Sequence, residues 1–276
     1  MLVTRKYSMV PKRRAFTLIE LLVVIAVIAL LLSVITPALR KAKDFAKAMV
    51  CSSNIRQMSL GFILYAEDNN GKTMRFVHTP GRYWIHEIAP YLGDDYLQTD
   101  TVSGKKSVMK VALCPKTRPR TDLSGGYQPG TRTEPWGWMN TSGSYGLNLW
   151  LLPPSPNGND GYVGGSFGDD VLKRDNFFTF LADASGGNTP IMGDSIWVGS
   201  WPYSDDLPPT DLETGGTTHA RGYFMQRFCI DRHGKGIRVG YVDGHVKEVD
   251  LEDLWLLTWH KRYAPNGSVV IKYRNK

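Results

Sequence analysis

The hydrophobic pattern of the chain begins with one long apolar segment near the N-terminus. Residues 21–32 are an unbroken run of Leu, Val, Ile and Ala, and Glu20 is the only ionisable side chain between residues 15 and 39. With its flanks this segment is about 24 residues long, enough to span a hydrocarbon core of about 30 Å at about 1.5 Å per residue. The segment predicts a membrane-spanning helix. A carboxylate inside such a segment is costly, which indicates a functional role for Glu20.

Helical periodicity continues beyond Pro37. Apolar side chains recur at intervals of three or four residues at Cys51, Ile55, Met58, Phe62 and Tyr65. This spacing places them on one stripe of a helix and predicts that the stripe is buried. The sequence Asp68-Asn69-Asn70-Gly71 predicts the end of the helix, because Asn and Gly readily supply a left-handed C-cap. We therefore expect one helix from Phe16 to about Glu67.

The remaining pattern, over residues 72–276, is that of a small body with short elements and long loops. It predicts a short amphipathic helix over 83–92, a helix over 251–263, and strands over 111–114, 177–182 and 190–192. Segments rich in Gly, Pro, Asn, Asp and Ser predict loops over 122–143, 153–169 and 202–216. The expected fold class is α+β: a long N-terminal helix, transmembrane in its first half, packed on a small antiparallel β-sheet body with long loops.

The strongest local signal in the body is a β-hairpin within residues 233–249. Two segments of alternating residues flank the dipeptide Asp243-Gly244. Asp-Gly in this setting is typical of a two-residue type I′ turn, in which both turn positions need a positive φ. On that register, Val242 lies opposite His245.

Composition and charge favour a folded body with a membrane-oriented N-terminus. The chain of 276 residues is 42% hydrophobic and 21% charged, and its 28 Gly and 16 Pro fit strands joined by turn-rich loops. Most of the net charge of +7 lies in residues 1–15, which hold five basic and no acidic side chains. Short basic flanks stay on the cytoplasmic side of a membrane. The basicity is therefore interpreted as an orientation signal, and no nucleic-acid partner is expected.

The segment RRAFTLIELLVVIAVIALLLSVITPAL, residues 13–39, resembles the N-terminus of type IV prepilins and type II secretion pseudopilins. The resemblance implies that prepilin peptidase removes a leader of residues 1–15 by cutting between Ala15 and Phe16, and that Phe16 is then N-methylated. It also implies that Glu20 guides assembly by meeting the freed amine of a neighbouring subunit, and that Pro37 kinks the helix. Ala15 stands where these proteins usually have Gly.

A second resemblance concerns the body. His233, nine further residues and then Asp243-Gly244 resemble the H-X9-DG segment of a prepilin-like family. The blocks CSSNIRQMSLGFILYAEDNNG, LCP and SYGLN of this chain are similar to other recurring blocks of that family. This resemblance implies an architecture and an export route rather than a chemistry.

The three cysteines allow one disulfide in an exported body. Cys51 lies on the predicted helix and Cys114 at the end of a predicted strand, so a disulfide between them would join the two and stabilise the fold by about 3–5 kcal/mol. Two reduced, buried thiols are the alternative. Cys229 lies in an apolar segment and is expected to be a core thiol. There is no C-x-x-C motif, so a zinc site built on thiolates is not expected.

Candidate ligands for a divalent metal are Asp194, His233, Asp243 and His245, which His219 could join. Two His with one or two carboxylates suit such a metal. Structural roles are the alternative for each of them, such as turn geometry for Asp243. Acidic loops could instead hold calcium, although no EF-hand spacing is present. No cofactor is therefore expected, with calcium or another divalent metal as the open alternative.

The function expected from these features is structural rather than enzymatic. Gly193-Asp194-Ser195 does not match the G-x-S-x-G motif. The segment GGSFG at residues 164–168 has that pattern of letters, but it lies in a predicted loop and not at a strand-to-helix turn, and it lacks the lysine of a P-loop. We expect a single-pass inner-membrane protein with a cytoplasmic N-terminus and a periplasmic body. Its partners would be prepilin peptidase and other pilin or pseudopilin subunits, with which it forms a filament of the type II secretion or type IV pilus kind.

The expected chain has three parts after the leader. Residues 16–39 form the membrane and filament-core helix, residues 40–71 its extramembrane continuation, and residues 72–276 the α+β body. Two other hypotheses stay open. The helix could merely anchor a periplasmic ligand-binding or enzymatic domain, or the protein could be secreted freely after cleavage behind Ala38.

Overall fold

The computed structural model describes residues 17–75, 84–93, 110–120, 122, 126–138, 141–154, 174–184, 187–218 and 220–273. Over these residues a long helix is followed by a body of small sheets, so the expected α+β class is confirmed. The chain divides into two units, Met1–Ala46 and Lys47–Lys276, and the boundary falls inside the long helix.

Helix α1 spans Leu18–Asp68 and is continuous through Pro37. Its start is fixed by a capping box. The N–H of Glu20 donates to Oγ1 of Thr17 at 3.2 Å, and the N–H and hydroxyl of Thr17 donate to Oε2 of Glu20 at 2.8 and 2.9 Å. These bonds satisfy backbone donors that the first helical turn leaves unpaired. Glu20 thus has a local structural role that the sequence analysis missed.

The C-terminus of α1 is a Schellman motif. Asn70 has a φ of 58°, and its N–H donates to the carbonyl of Glu67 at 3.2 Å. The N–H of Gly71 donates to the carbonyl of Ala66 at 2.8 Å. A left-handed residue followed by this pair of bonds is how many helices satisfy their last carbonyls. The cap predicted from Asn and Gly is confirmed.

Within the second unit, α1 buries the stripe that its sequence predicts. Cys51, Ile55, Met58 and Phe62 are fully buried, and Tyr65 is half-buried. Their spacing keeps them on one side of the helix, which is why this part of α1 belongs to the core of the body.

The strands of the body form two sheets. They are β1 (Trp136–Trp138), β2 (Thr141–Gly143), β3 (Tyr145–Asn148), β4 (Pro190–Asp194), β5 (Gly199–Ser200), β6 (Gly236–Tyr241) and β7 (Val246–Asp250). Strands β1 and β2 make an antiparallel ribbon, and the others form a sheet in the order β5–β3–β4–β6–β7. In that sheet β3 and β5 are parallel and the other neighbours are antiparallel. The main sheet is therefore mixed, where the sequence predicted an antiparallel one.

The hairpin between β6 and β7 exists, but its turn differs from the prediction. The N–H of Tyr241 donates to the carbonyl of His245 at 3.0 Å, so the loop has three residues, 242–244. Within it only Gly244 has a positive φ, of 84°, and its N–H donates to the carbonyl of Tyr241 at 2.9 Å. This is the three-residue loop that ends on a left-handed glycine. The predicted type I′ turn is therefore wrong, and the predicted register is shifted by one residue: His245 pairs with Tyr241 and not with Val242.

Two predicted strands are absent from the described body. The segment 111–114 lies instead in and after a 3₁₀ turn, Lys110–Ala112. The segment 177–182 contributes a single bridge, between Lys72 and Phe180, and its last two residues lie in a 3₁₀ turn, Leu181–Asp183. Both segments are short apolar runs, and such runs do not distinguish a strand from buried irregular structure.

The predicted C-terminal helix over 251–263 is also wrong. Only a 3₁₀ turn forms there, Glu252–Leu256, because Leu257 is extended with a ψ of 152°. The buried indoles of Trp255 and Trp259 each donate an N–H to a backbone carbonyl, at 2.8 Å. These contacts, rather than helical packing, position the segment.

The other predicted segments divide into three groups. The short helix within 83–92 is confirmed as α2 (Trp84–Ile88), the strand at 190–192 as part of β4, and the loop at 202–216 contains no helix or strand. The predicted loop at 122–143 contains β1 and β2. Most of 153–169 lies outside the described residues.

Helix α1 crosses β6 at Gly240, where a larger side chain would not fit. A Cβ at this position would lie 2.3 Å from Oγ of Ser59 and 2.8 Å from Cγ2 of Ile55. The Ser59 hydroxyl is buried and has no hydrogen-bond partner among the described residues. The close approach of helix and sheet therefore depends on the glycine.

We expect Gly240→Ala to destabilise the chain by about 1–3 kcal/mol, because the added methyl group forces α1 away from β6. Ser59→Ala should be close to neutral, since it removes an unsatisfied buried hydroxyl, and should partly rescue Gly240→Ala. Urea unfolding of the detergent-solubilised chain measures these effects. Gly187→Ala, whose Cβ would meet nothing within 4 Å, is the matched control. Fully additive effects of the Gly240 and Ser59 substitutions would contradict the contact.

A buried histidine, His260, is enclosed by aromatic rings. Its ring centroid lies 4.9 Å from that of Trp150 and 5.2 Å from that of Tyr263. Its Nδ1 accepts the N–H of Arg262 at 3.2 Å, which requires an unprotonated nitrogen. Burial, and then the charge of Arg221, lower the pKa of His260 from 6.5 to about 4.

Stability should therefore decrease as the pH falls from about 6.5 towards 4, because the unfolded chain protonates His260 in this range and the folded chain does not. His260→Asn retains an acceptor and should flatten this dependence in the free energy of unfolding. Comparing the two chains separates His260 from Asp206, whose pKa is raised to about 6 by burial and which acts in the opposite direction. An unchanged pH profile in the variant would show that His260 is not responsible.

Candidate functional site

The first candidate site is the N-terminal part of α1, which carries the residues predicted to act in processing and assembly. Ala15 and Phe16 lie outside the described residues. Glu20 lies in the first turn of α1 and is exposed, with its carboxylate engaged by Thr17. Pro37 lies inside the helix, and the predicted kink there stays a prediction.

The surface of this part of α1 is almost entirely apolar. Every Leu, Ile and Val between residues 18 and 39 is between 47% and 83% exposed. The hydroxyls of Ser33 and Thr36 donate to helix carbonyls at 2.7 Å, so they need no outside partner. Among the described residues, this is the one helix long and apolar enough to cross a membrane. It fits a single-pass membrane anchor.

The second candidate site is a cluster of four side chains inside the body, here called the buried cluster. Its members are Cys51 from α1, Cys114 from the loop after Lys110–Ala112, Asp194 from the end of β4 and His233 from the loop before β6. Sγ of Cys51 lies 3.6 Å from Oδ1 of Asp194, and Sγ of Cys114 lies 3.5 Å from Nε2 of His233. Nε2 of His233 lies 3.4 Å from Oδ2 of Asp194. One ligand atom from each residue lies within 4.8 Å of all the others.

Asp194 is held at the centre of the buried cluster by the main sheet. It ends β4 opposite Tyr145, and its Oδ2 accepts the backbone N–H of Arg238 at 2.9 Å. Nη1 of Arg232 donates to its Oδ1 at 3.2 Å. Burial alone would raise the pKa of Asp194, but the charges of His233 and Arg232 and these hydrogen bonds lower it to about 2. The carboxylate is therefore ionised although it is completely buried.

Arg232 is the buried counter-charge of Asp194. Its side chain is fully buried. Besides Asp194 it donates to the backbone carbonyls of Thr131, Arg132, Ser144 and Ser195. All three nitrogens of the guanidinium are engaged, which fits the rigid fork of donors that arginine provides. Arg232 thus ties the buried cluster to three separate loops.

The two thiols of the buried cluster differ in acidity. Burial raises the pKa of Cys51, whose Sγ faces the carboxylate of Asp194. Hydrogen bonds from Cys51 and His233 lower the pKa of Cys114 to about 6, against the effect of burial. Burial lowers the pKa of His233, but the charge of Asp194 outweighs it and raises the value to about 9.

The predicted metal ligands are only partly brought together, and the prediction is corrected here. Asp194 and His233 meet in the buried cluster. Asp243 and His245 instead pair with each other in the β6–β7 turn, where Oδ1 of Asp243 lies 2.6 Å from Nδ1 of His245. The strand β6 separates this turn from His233. His219 lies outside the described residues.

Neither cysteine is among the ligands predicted from the sequence. A closely spaced pair of cysteines is the usual signal of such ligands, whereas Cys51 and Cys114 come from distant parts of the chain and meet only through folding. Both are free thiols in the structure. A disulfide between them, formed on export, stays a prediction. Cys229 is buried elsewhere in the core, and burial raises its pKa.

The buried cluster does not have the layout of a Cys–His–Asp catalytic triad. In a triad, one imidazole nitrogen faces the nucleophile and the other faces the carboxylate. Here Nε2 of His233 faces both Cys114 and Asp194, and Nδ1 has no hydrogen-bond partner among the described residues. Cys114 is also only 1% exposed. A single nitrogen that faces a sulfur and an oxygen is arranged as a metal ligand would be.

Comparison with known proteins identifies the N-terminal segment. Residues 10–36 match the family model of the prokaryotic N-terminal methylation motif. The chain therefore carries a prepilin-type N-terminus, and the first resemblance is confirmed. The motif supports a substrate of prepilin peptidase of the type IV pilin or pseudopilin kind. The chain matches no curated protein and no solved structure. The resemblance to an H-X9-DG family stays a prediction.

We expect Arg232→Lys to destabilise the chain by about 3–5 kcal/mol, because one ammonium group cannot replace the fork and leaves several of the four buried carbonyls without a donor. Arg262→Lys is the control, since Arg262 pairs with Asp175 at 2.8 Å on the surface, and should change stability by less than about 1 kcal/mol. Urea unfolding of both variants is the measurement. Equal stabilities would show that the Arg232 network contributes little.

Proposed function

We propose that the protein is a pilin-like or pseudopilin-like structural subunit. Prepilin peptidase removes residues 1–15 and exposes Phe16, which is N-methylated. The mature chain then assembles through α1 in a type II secretion or type IV pilus-like system. The observation that carries this proposal is the match of residues 10–36 to the methylation motif, which includes Glu20 on an exposed apolar helix.

The apolar surface of α1 supports assembly as well as anchoring. A bilayer covers the side chains of residues 18–39 before assembly. In a filament the same side chains would pack against helices of neighbouring subunits, so apolar area stays out of water in both states. The in-helix bonds of Ser33 and Thr36 leave the carboxylate of Glu20 as the polar side-chain group that can contact a neighbour in this segment.

Glu20 can serve both its own helix and a neighbouring chain. Both hydrogen bonds from Thr17 go to Oε2, and a carboxylate has two oxygens with about four acceptor positions. Oε1 can therefore accept the amine of a neighbouring Phe16 while the capping box stays intact. A charge pair in an apolar surrounding sets the register, because either partner left alone is strongly penalised.

The charge distribution supports the orientation of the subunit. The basic leader stays cytoplasmic, where the peptidase cuts, and the body lies in the periplasm. Residues 40–71 would carry α1 out of the membrane towards the body of residues 72–276. The partners are then the inner membrane, the peptidase and other pilin or pseudopilin subunits. The competing hypothesis is an anchored ligand-binding or enzymatic domain, for which Glu20 would be dispensable.

We expect Glu20→Gln to abolish assembly while leaving cleavage intact. Gln retains the capping box but lacks the charge that attracts the neighbouring amine. Thr17→Ala is the matched control, since it weakens the cap by about 1 kcal/mol but keeps the carboxylate, and it should assemble. Cross-linking of the sheared and membrane fractions measures assembly, and N-terminal sequencing of the membrane-extracted chain measures processing.

Each readout can overturn a separate part of the proposal. Methylated Phe16 at the N-terminus is the expected result. An intact leader in cells with an active peptidase would exclude processing, and an N-terminus at Leu39 would indicate ordinary secretion. Normal assembly of Glu20→Gln would show that the charge of Glu20 does not guide assembly, and a wild-type chain that never cross-links to other copies would favour the plain anchor.

A further inference from the structure

We propose that Cys51, Cys114, Asp194 and His233 form a structural Zn²⁺ site that joins α1 to the main sheet. All four residues belong to the second unit of the chain. The proposal is independent of assembly through Glu20, so either can fail without the other.

Three ligand-to-ligand distances in the buried cluster are those expected around one tetrahedral ion, and all four ligand atoms lie within 4.8 Å of one another. Zinc bonds are about 2.3 Å to sulfur and about 2.0–2.2 Å to nitrogen and oxygen, so tetrahedral geometry places sulfur about 3.5–3.6 Å from a nitrogen or oxygen ligand. The observed separations are 3.5 Å for Cys114 and His233, and 3.6 and 3.7 Å from Cys51 to the two oxygens of Asp194. A nitrogen and an oxygen ligand are expected about 3.3 Å apart. His233 and Asp194 are 3.4 Å apart.

A direct hydrogen bond between His233 and Asp194 explains their separation less well. A hydrogen bond between a charged imidazole and a carboxylate is typically about 2.7–2.9 Å long. The 3.4 Å between Nε2 of His233 and Oδ2 of Asp194 is well beyond that range. Both side chains are buried, with 1% and 0% of their surface exposed. The imidazole and the carboxylate are therefore close enough to share a central ion but too far apart for a strong hydrogen bond with each other.

The charges around the buried cluster balance when Zn²⁺ is included. Two thiolates and one carboxylate give a charge of −3, and the ion with Arg232 gives +3, while His233 binds as a neutral ligand. Burying a net charge would be costly, and this combination avoids it. Arg232 and the N–H of Arg238 also hold the carboxylate of Asp194 in place. Such outer contacts commonly orient the ligands of a metal.

The four ligands favour zinc over calcium, and a structural site over a catalytic one. Two sulfurs and one imidazole are soft or borderline ligands that suit zinc, whereas calcium takes six to eight oxygens. Four protein ligands complete a tetrahedron and leave no open position for a substrate, as in structural zinc sites. Because the ligands come from α1, two loops and the end of β4, the ion would stabilise the tertiary packing of the body.

A disulfide between Cys51 and Cys114 is the competing fate of the same two thiols. It would use both sulfur ligands and leave His233 and Asp194 facing each other at 3.4 Å, which is long for a hydrogen bond between them. The two states exclude each other, so one experiment decides between them.

The test uses the full chain purified in detergent without added thiols. We expect about one zinc per chain by elemental analysis, removal by a strong chelator, and a melting temperature that then rises with added Zn²⁺. Co²⁺ added to the chelated chain should give the intense visible absorption of a tetrahedral site with thiolate charge-transfer bands. This spectrum requires no substitution, so the proposal stays testable if variants of the buried cluster fail to fold.

Variants assign the ligands. Cys114→Ser and His233→Gln should lower the zinc content to less than about one tenth of an ion per chain. Cys229→Ser changes a buried thiol outside the cluster, and Asp243→Asn changes the other half of the H-X9-DG segment, so both should retain zinc. A chain that binds neither metal, a Cys51–Cys114 disulfide found by mass spectrometry, or zinc retained in both ligand variants would overturn the proposal.

Discussion

The fold of the body depends on one buried ion pair, that between Arg232 and Asp194. Each partner would be strongly penalised alone in the interior, and the pair is tolerated because fixed backbone groups satisfy the rest of both side chains. Arg232 donates to carbonyls in three loops, while the N–H of Arg238 in β6 donates to Asp194. Irregular segments with few regular hydrogen bonds of their own are thereby held against the end of β4.

Under the proposed function, a charge in apolar surroundings has a role in each part of the chain. In the body, Arg232 and Asp194 find each other within one molecule, and the result is a fixed core. On the apolar part of α1, Glu20 has only its own helix start as a described partner. Under the proposed function its remaining capacity is met by another subunit. The same penalty that organises the fold internally then specifies how copies of the chain associate.

How much the sequence predicts depends on how local the signal is. The buried stripe of α1 and its Asn70 cap follow from neighbouring residues and were predicted correctly. The β6–β7 hairpin was recognised but shifted by one, because Asp-Gly also suits a three-residue loop in which only Gly244 is left-handed. The prediction of a C-terminal helix was wrong because hydrogen bonds from two buried tryptophans determine the conformation of that segment. The buried cluster was unpredictable as a set, since its cysteines carry no spacing signal and meet only in the folded chain.

The turn at Gly244 gives a structural reason for the number of residues between His233 and Asp243. All of β6 lies inside this interval, with the buried side chain of His233 before it and the turn at Gly244 after it. Side chains alternate between the two faces of a strand, so one inserted residue would move the buried side chains of Ile237, Val239 and Tyr241 to the opposite face of β6. The length of the interval therefore fixes the spacing between the buried imidazole and the turn, and Gly240 within it keeps the strand close to α1.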